Sequence, residues 1–290
     1  MKNALFAFLI FILPSVAFSQ VSIQVKEVNT NMSKGINNGF EVEIPATAVK
    51  DVERDWKRRL TVGNKAKLAE ANGEIAVHGI DNKDISPKLF NLYSVLVSNN
   101  DGVKLTAWFT YNDTTFFTTA AAKLFMHDFA TAEYFLAVKS MHQKERDKLE
   151  KLKDDLERSI KIEEKSELKI TDNKRAIARA QDDLVTNDND QKEASTAINL
   201  QQAELNKDRN GNAEIYKAAD KELKEMQDGK KRLQDHNLTL HKKIDEWNKE
   251  IANEERSITV EKQSQGQTAV AIEKQKSLIA DLAAKLKAIK

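Results

Sequence analysis

The chain has 290 residues, with 46 Lys and Arg against 45 Asp and Glu, and it contains 9 Gly, 3 Pro and no Cys. Mixed and balanced charge excludes the basic stripe that binds nucleic acid or anionic lipid, so we expect no nucleic-acid partner. The lack of cysteine excludes disulfides, thiolate metal sites and a lipid anchor on an N-terminal cysteine.

Residues 1–19 have the pattern of a secretory signal peptide. Lys2 supplies a positive charge, 4–16 is apolar, and Ala17 and Ser19 are the small residues before the predicted cleavage site. The apolar stretch is shorter than the ~20 residues that cross a bilayer, which argues against an uncleaved membrane anchor. We expect an exported protein, periplasmic or extracellular, soluble or peripherally attached, with no integral membrane span after cleavage.

Residues 20–117 predict a small α+β domain. Its predicted strands are 21–25, 40–44, 74–80, 90–97 and 103–111, and its predicted helix covers 49–60. The order β-β-α-β-β-β predicts one sheet with a helix on one face. The hairpin of the last two strands is the clearest, because Asp101 and Gly102 form a favoured turn sequence between them.

Trp108 is the residue of this domain that could contact a partner. It alternates with Ala107 and Phe109 along a predicted strand, so it lies on the opposite sheet face. If the helix covers the Ala107 face, the Trp108 face is either covered by the 116–125 region or is an exposed binding patch.

Residues 118–290 predict a long helical coiled-coil region. Large apolar residues recur at alternating spacings of three and four, which is the heptad pattern. The predicted seam consists of Leu149, Leu156, Ile170, Ile177, Leu184, Ile198, Leu205, Leu223, Met226, Leu233, Leu240, Ile244, Trp247, Ile251, Ile258, Ile272, Ile279, Leu282 and Leu286. Asn173, Asn237 and Glu254 interrupt it with polar side chains, which we expect to set the register.

The heptad pattern changes phase around 207–212, where Asn210, Gly211 and Asn212 are costly inside a helix. One interpretation is a continuous helix that unwinds locally. The favoured interpretation is a turn that folds the region into an antiparallel hairpin. A hairpin would satisfy the seam within one chain, whereas a single helix would need self-association.

Three stretches carry a resemblance to known sequences: GFEVEIP at 39–45, WKRRL at 56–60 and VKLTAWF at 103–109, ahead of the charged helical region. With these stretches the chain resembles a family of uncharacterised exported proteins from Bacteroidota. The resemblance covers most of the mature chain, and its specific part is the predicted α+β domain. It implies export and this architecture, and no functional residue.

The sequence contains no recognisable catalytic motif. Ser166 and Lys169 match a bare Ser-x-x-Lys pattern, but they lie within the predicted coiled coil and lack the companion motifs of that hydrolase class. The five histidines are too scattered along the chain to predict a metal site. We therefore predict no enzyme, no cofactor and no metal.

The predicted function is a structural or adaptor role in the cell envelope, through a protein partner or self-association. One alternative is a periplasmic holdase-type chaperone with helical arms, which would need exposed apolar surface. Another is an enzyme or ligand-binding site in the N-terminal domain, built on acidic residues such as Glu41, Glu43 and Asp113.

Overall fold

A computed structural model describes residues 22–63, 65–112, 114–207 and 213–289. The predicted signal peptide at 1–19, most of the predicted turn at 207–212 and Asp113 lie outside the described residues. The chain divides into two compact units. The head unit is Met1–Lys148 together with Gln275–Lys290, and the arm unit is Leu149–Lys274.

The head unit contains one antiparallel sheet of seven strands and a short helix. The elements are β1 (Val25–Met32), β2 (Gly35–Pro45), α1 (Val49–Thr61), β3 (Lys67–Ala71), β4 (Glu74–Ile80), β5 (Phe90–Ser98), β6 (Gly102–Thr110) and β7 (Phe116–Phe117). The strands lie in the order β1-β2-β6-β5-β4-β3, and β7 pairs with β6. The α+β prediction is confirmed at this level, but the predicted order β-β-α-β-β-β is wrong because β3 and β7 are additional strands.

The strands that the sequence pattern missed or misplaced lack an apolar alternation. All of β3 is exposed, so its pairing with β4 leaves no period-two pattern in the sequence. The strand predicted at 21–25 is displaced, because β1 begins only at Val25 and continues through the polar stretch 29–31. β1 pairs along its length with β2, and this pairing holds polar residues in the strand.

The helices cover one face of the sheet. Val52, Trp56 and Leu60 form one buried stripe of α1, as their four-residue spacing predicts. The Trp56 indole N–H donates a hydrogen bond of 2.9 Å to the Ser94 hydroxyl on β5, which satisfies the polar atom of this buried ring. The apolar core around Trp56 also includes Leu282, from the second segment of the head unit.

Two long helices follow the sheet in the chain: α2 (Ala120–Lys207) and α3 (Ala213–Ala288). In the arm unit, α2 and α3 run in opposite directions. Ser159 contacts Glu261, and Ser166, which is later in α2, contacts Glu254, which is earlier in α3. Farther along α2, Asp188 contacts Asn237. The helices therefore pair antiparallel, in agreement with the predicted hairpin. The α3 part of the arm unit, 213–274, corresponds to roughly 90 Å of helix.

Candidate functional site

The predicted seam residues are all turned away from solvent. Each of them, from Leu149 to Leu286, is buried or half-buried. Ile198, Leu205 and Leu223 form one cluster across the two helices of the arm unit, with Met226 packed against it. The predicted seam of these helices is thus covered within a single chain, whereas other aliphatic residues of both helices remain exposed.

Polar side chains in the arm unit bind each other across the two helices. Glu254 accepts hydrogen bonds of 2.6 Å from Ser166 and from Lys169, and these donors lower the pKa of its carboxyl. Asn173 donates to Glu250 over 2.9 Å, and Asn237 donates to Asp188 over 2.7 Å. Because each bond joins one position of α2 to one of α3, a slip between the helices would break it.

Trp108 lies on the sheet face opposite the helices, but it is only 2% exposed. It packs with Met32 and Tyr93, and its indole N–H lies 3.3 Å from the carbonyl oxygen of Asn37. A Cβ added at Gly39 would lie 2.7 Å from the indole, so the ring crosses β2 where no side chain intervenes. Trp108 therefore fills a small second core and offers no indole surface to a partner in this structure.

The β1–β2 hairpin covers this second core. Its tip residue Ser33 donates through its backbone N–H to the Glu74 carboxylate over 3.0 Å, and its hydroxyl also donates to that carboxylate. Glu74 belongs to β4, which lies beyond β6 and β5 in the strand order. These bonds hold the hairpin tip across the face that carries Trp108 and Tyr93.

A groove lies between α1 and the first part of α2 in the head unit. It has two compartments, with cavity volumes of about 520 Å³ and 480 Å³. Asp55, Glu133 and Leu136 line both compartments, so the two adjoin at these residues. We call this feature the α1–α2 groove. Its walls are partly apolar and include Phe125 and Phe129.

The groove forms because aromatic rings set the spacing of the two helices. Trp56 of α1 lies with its ring centroid 4.6 Å from that of Phe129 and 5.7 Å from that of Phe125. The Arg59 guanidinium lies 5.5 Å from the centre of the Phe125 ring, as in a cation–π contact. These contacts place the side chains of Asp55 and Glu133 in the cleft between the helices.

Asp55 is a paired carboxylate. It is 9% exposed and lies 3.0 Å from the Arg54 guanidinium and 3.3 Å from that of Arg58. The hydrogen bond from Arg54 is the main cause that lowers the pKa of Asp55, with the charge of Arg58 contributing. Asp55 is therefore ionised at neutral pH and occupies both neighbouring arginines.

Glu133 is the opposite case. It is 8% exposed, and its carboxyl has no hydrogen bond or ion pair with any residue that the structure describes. Burial is the main cause that raises its pKa to about 7, and the negative charge of Asp55 adds to this effect. Arg54 and Arg58 oppose the shift only from a distance, since both point to Asp55. An unpaired, desolvated carboxyl facing a cavity is a typical feature of functional sites.

Neither carboxyl of the groove was predicted from the sequence. Glu41 and Glu43, the acids predicted for a possible site in the N-terminal domain, lie on β2, where Glu41 is 3.5 Å from Lys104 and Glu43 is exposed. A signal for Glu133 was present, because it falls four residues after Phe129 on the buried stripe of α2. A charged residue on an apolar stripe is unusual and would have identified it.

Two classes of feature are absent from the part of the chain that the structure describes. No group of three or more His, Cys, Asp or Glu side chains there is placed to hold a metal ion. No helix among those same residues combines the length and the apolar character needed to cross a membrane.

Comparisons with known proteins give no further assignment. No protein-family model matches the chain, and no curated protein sequence matches it.

Proposed function

We propose that this chain is an exported, non-enzymatic protein that acts through protein–protein contacts in the cell envelope, as an adaptor or structural element. The export part rests on the signal-peptide pattern at 1–19 and on the resemblance to exported Bacteroidota proteins. In this proposal the head unit contacts the partner, and the paired helices serve as a stiff spacer.

The observation that carries the proposal is the closure of the helical seam within one chain. Each predicted seam residue is already covered, and cross-helix bonds such as Ser166 to Glu254 fix the pairing. Because α2 and α3 pair with each other, they need no second copy of the chain. The ends of the helices and the head unit therefore remain free to bind a partner. We therefore expect the mature protein to have the mass of one chain in light scattering, and a stable dimer would contradict this expectation.

Site-specific photo-crosslinking in cells tests where the partner binds. A benzophenone amino acid would replace Ile36 or Leu124, which are 73% and 58% exposed in the head unit. The same reagent at Val185 or Val260 of the arm unit, each 63% exposed, provides matched positions. A discrete crosslinked protein in the exported fraction from the head positions alone supports the adaptor role. Crosslinks from the arm positions alone would contradict it.

The holdase alternative has one observation in its favour. Aliphatic residues are exposed along both helices of the arm unit, and they include Leu168 at 66% and Val270 at 72%. A holdase would bind unfolded clients through such side chains, so the mature protein should suppress the aggregation of an unfolded outer-membrane protein. Many weak crosslinks along the arms, instead of one from the head, would favour this function.

A further inference from the structure

The α1–α2 groove contains a carboxyl that the fold leaves unsatisfied. Glu133 is 8% exposed, yet it has no hydrogen bond or ion pair with another described residue. Its side chain lines both compartments of the groove. Buried carboxyls in native proteins are generally paired, because an unpaired one is costly. Because Glu133 lines an open groove, a group that enters from outside can reach its carboxyl.

The rest of the groove limits the chemistry of that group. The second carboxylate of the groove, Asp55, is already ion-paired with Arg54 and Arg58, so it is not available to bind a further cation. A hard metal ion prefers several oxygen ligands, and one free carboxylate does not supply them. An anion would be repelled by Glu133 once this carboxyl is ionised, although the cations Arg54, Arg58, Arg59 and Lys144 also line the groove.

Two of the side chains beside Glu133 are apolar, within a lining that also carries Asp55, Arg58 and Asp128. Phe129 is 4% exposed and Leu136 is 49% exposed, and both line the groove beside the carboxyl. Such walls suit an aliphatic chain, while the carboxyl suits the positive group at its end. A ligand with both features would replace water on the walls and neutralise the buried acid.

We propose that the α1–α2 groove is a binding site for an alkylammonium group, with Glu133 as its counter-ion and Phe129 and Leu136 as its apolar walls. This site goes beyond the adaptor role and does not depend on it. The group could be a free alkylamine or the side chain of a lysine, since both present the same chemistry.

The test is calorimetric titration of the full mature chain with n-pentylammonium chloride at constant ionic strength. The neutral analogue n-pentanol measures the apolar contribution alone. We expect Glu133→Gln to weaken binding of the amine about tenfold or more, because a charge-assisted contact to a buried group is lost. Asp128→Asn removes the same charge from the same groove and helix, but Asp128 is 56% exposed, so less than a twofold change is expected.

The pH profile provides a readout that a purely structural role would not give. The amine stays protonated throughout, so only ionisation of Glu133 changes its affinity. For a carboxyl with a pKa of about 7, the affinity should rise roughly thirtyfold from pH 5.5 to pH 8 in the wild type. It should not change with pH in Glu133→Gln.

Two results would overturn the proposal: equal binding of the amine by wild type and Glu133→Gln, or no binding of the amine beyond that of n-pentanol. If circular dichroism shows that Glu133→Gln does not fold, Glu133→Asp is used instead. The shorter side chain of Asp keeps the negative charge but moves it away from the groove, so this variant should bind the amine more weakly than wild type. A second arm uses a lysine tripeptide and its Nζ-acetylated form. Preference for the free-lysine peptide over pentylammonium assigns the group to a polypeptide, and the reverse order assigns it to a small amine.

Discussion

Asp55 and Glu133 show how the surroundings of a residue decide its charge. Both are carboxyls of similar exposure in the same groove, but the pKa of Asp55 is lowered and that of Glu133 is raised. The difference is that the guanidiniums of Arg54 and Arg58 both bind Asp55. Glu133 receives desolvation without a compensating hydrogen bond.

The raised pKa of Glu133 predicts that the stability of the head unit depends on pH. The unfolded carboxyl titrates near its ordinary value of 4.5, and the folded one near 7. The folded state therefore holds an extra proton between these values, and stability that is present below pH 4.5 is lost as the pH rises through 7. The charged groups that face or surround Glu133 are Asp51, Arg54, Asp55 and Arg58 on α1, Arg59 near its end, and Asp128 and Lys144 on α2.

Glu133→Gln should remove this dependence. We expect the variant to match the wild type at pH 4.5 and to exceed it by about 2 kcal/mol at pH 8, allowing for solvent in the groove. Urea unfolding at the two pH values measures the difference. Asp128→Asn serves as the control and should leave the pH dependence unchanged. A constant offset between Glu133→Gln and the wild type would show that Glu133 does not titrate in this range.

Glu74 is the second residue whose role can be isolated. Glu74→Ala removes both acceptors for the Ser33 tip of the β1–β2 hairpin, which should cost about 1.5–3 kcal/mol because charged hydrogen bonds are lost. Release of the tip should expose Trp108 and shift tryptophan emission to longer wavelength. Glu41→Ala is the matched control, because Glu41 lies on β2 of the same sheet and makes only a 3.5 Å ion pair with Lys104. An unshifted emission in Glu74→Ala would show that Trp108 is covered without this anchor.

At the scale of elements, local sequence patterns predicted the helices and one hairpin, but they missed the features that depend on residues far apart in the chain. The heptad pattern predicted the long helices, because a helical stripe is visible within a few turns. The phase change and the Asn-Gly-Asn sequence at 210–212 predicted the antiparallel pairing. The Asp101–Gly102 turn likewise predicted the β5–β6 hairpin. Strand β3 and the Glu133 site could not be found in this way. The first pairs in the sheet with β4 and makes an ion pair with α1 through Glu70, and the second exists only because α1 lies beside α2.

The helices of the arm unit contain one weak polar layer. The Asn187 side-chain amide is buried and its Nδ2 has no hydrogen-bond partner in the structure, and the same is true of Nε2 of Gln191 and Oδ1 of Asn237. Such groups keep the cost of desolvation without a compensating bond. We infer that this layer is the least stable part of the helical pair.

A pair of identical substitutions tests this inference. Asn187→Leu should stabilise the arm unit by about 1–2 kcal/mol, because an unsatisfied amide is replaced by an apolar group. Asn173 occupies the equivalent seam position in α2 but donates to Glu250, so Asn173→Leu should be neutral or slightly destabilising. Urea unfolding followed by helical circular dichroism measures both. Equal effects of the two substitutions would contradict the special status of the Asn187 layer.

At the scale of the whole molecule, the head unit draws on two distant stretches of one chain. Gln275 donates to the side chain of Glu145 over 2.6 Å and to its backbone carbonyl over 2.8 Å, so the two helices approach each other where the head unit ends. Leu282 is 5% exposed in the core that contains Trp56. The head unit thus has its own core, built from residues before 149 and after 274.

This organisation predicts that the arm unit can be removed. Replacement of 149–274 by a short glycine-containing turn should leave the head unit folded, because Glu145 and Gln275 already lie in contact. The expected result is a cooperative thermal transition with native near-ultraviolet circular dichroism. A chain that stops after residue 274 is the control, and it should lose the transition because Leu282 is missing. Failure of both variants would show that the arm unit is required for the head to fold.

Burial of Leu282 against the head core also fixes an order of events during synthesis. Translation delivers the sheet, α1 and the start of α2 first, but their shared core stays incomplete until 275–289 has been made. Closing so long an interval of chain is slow, and unburied apolar surface invites degradation. Premature termination anywhere in the long helices would therefore leave a product that proteases can distinguish from the finished chain.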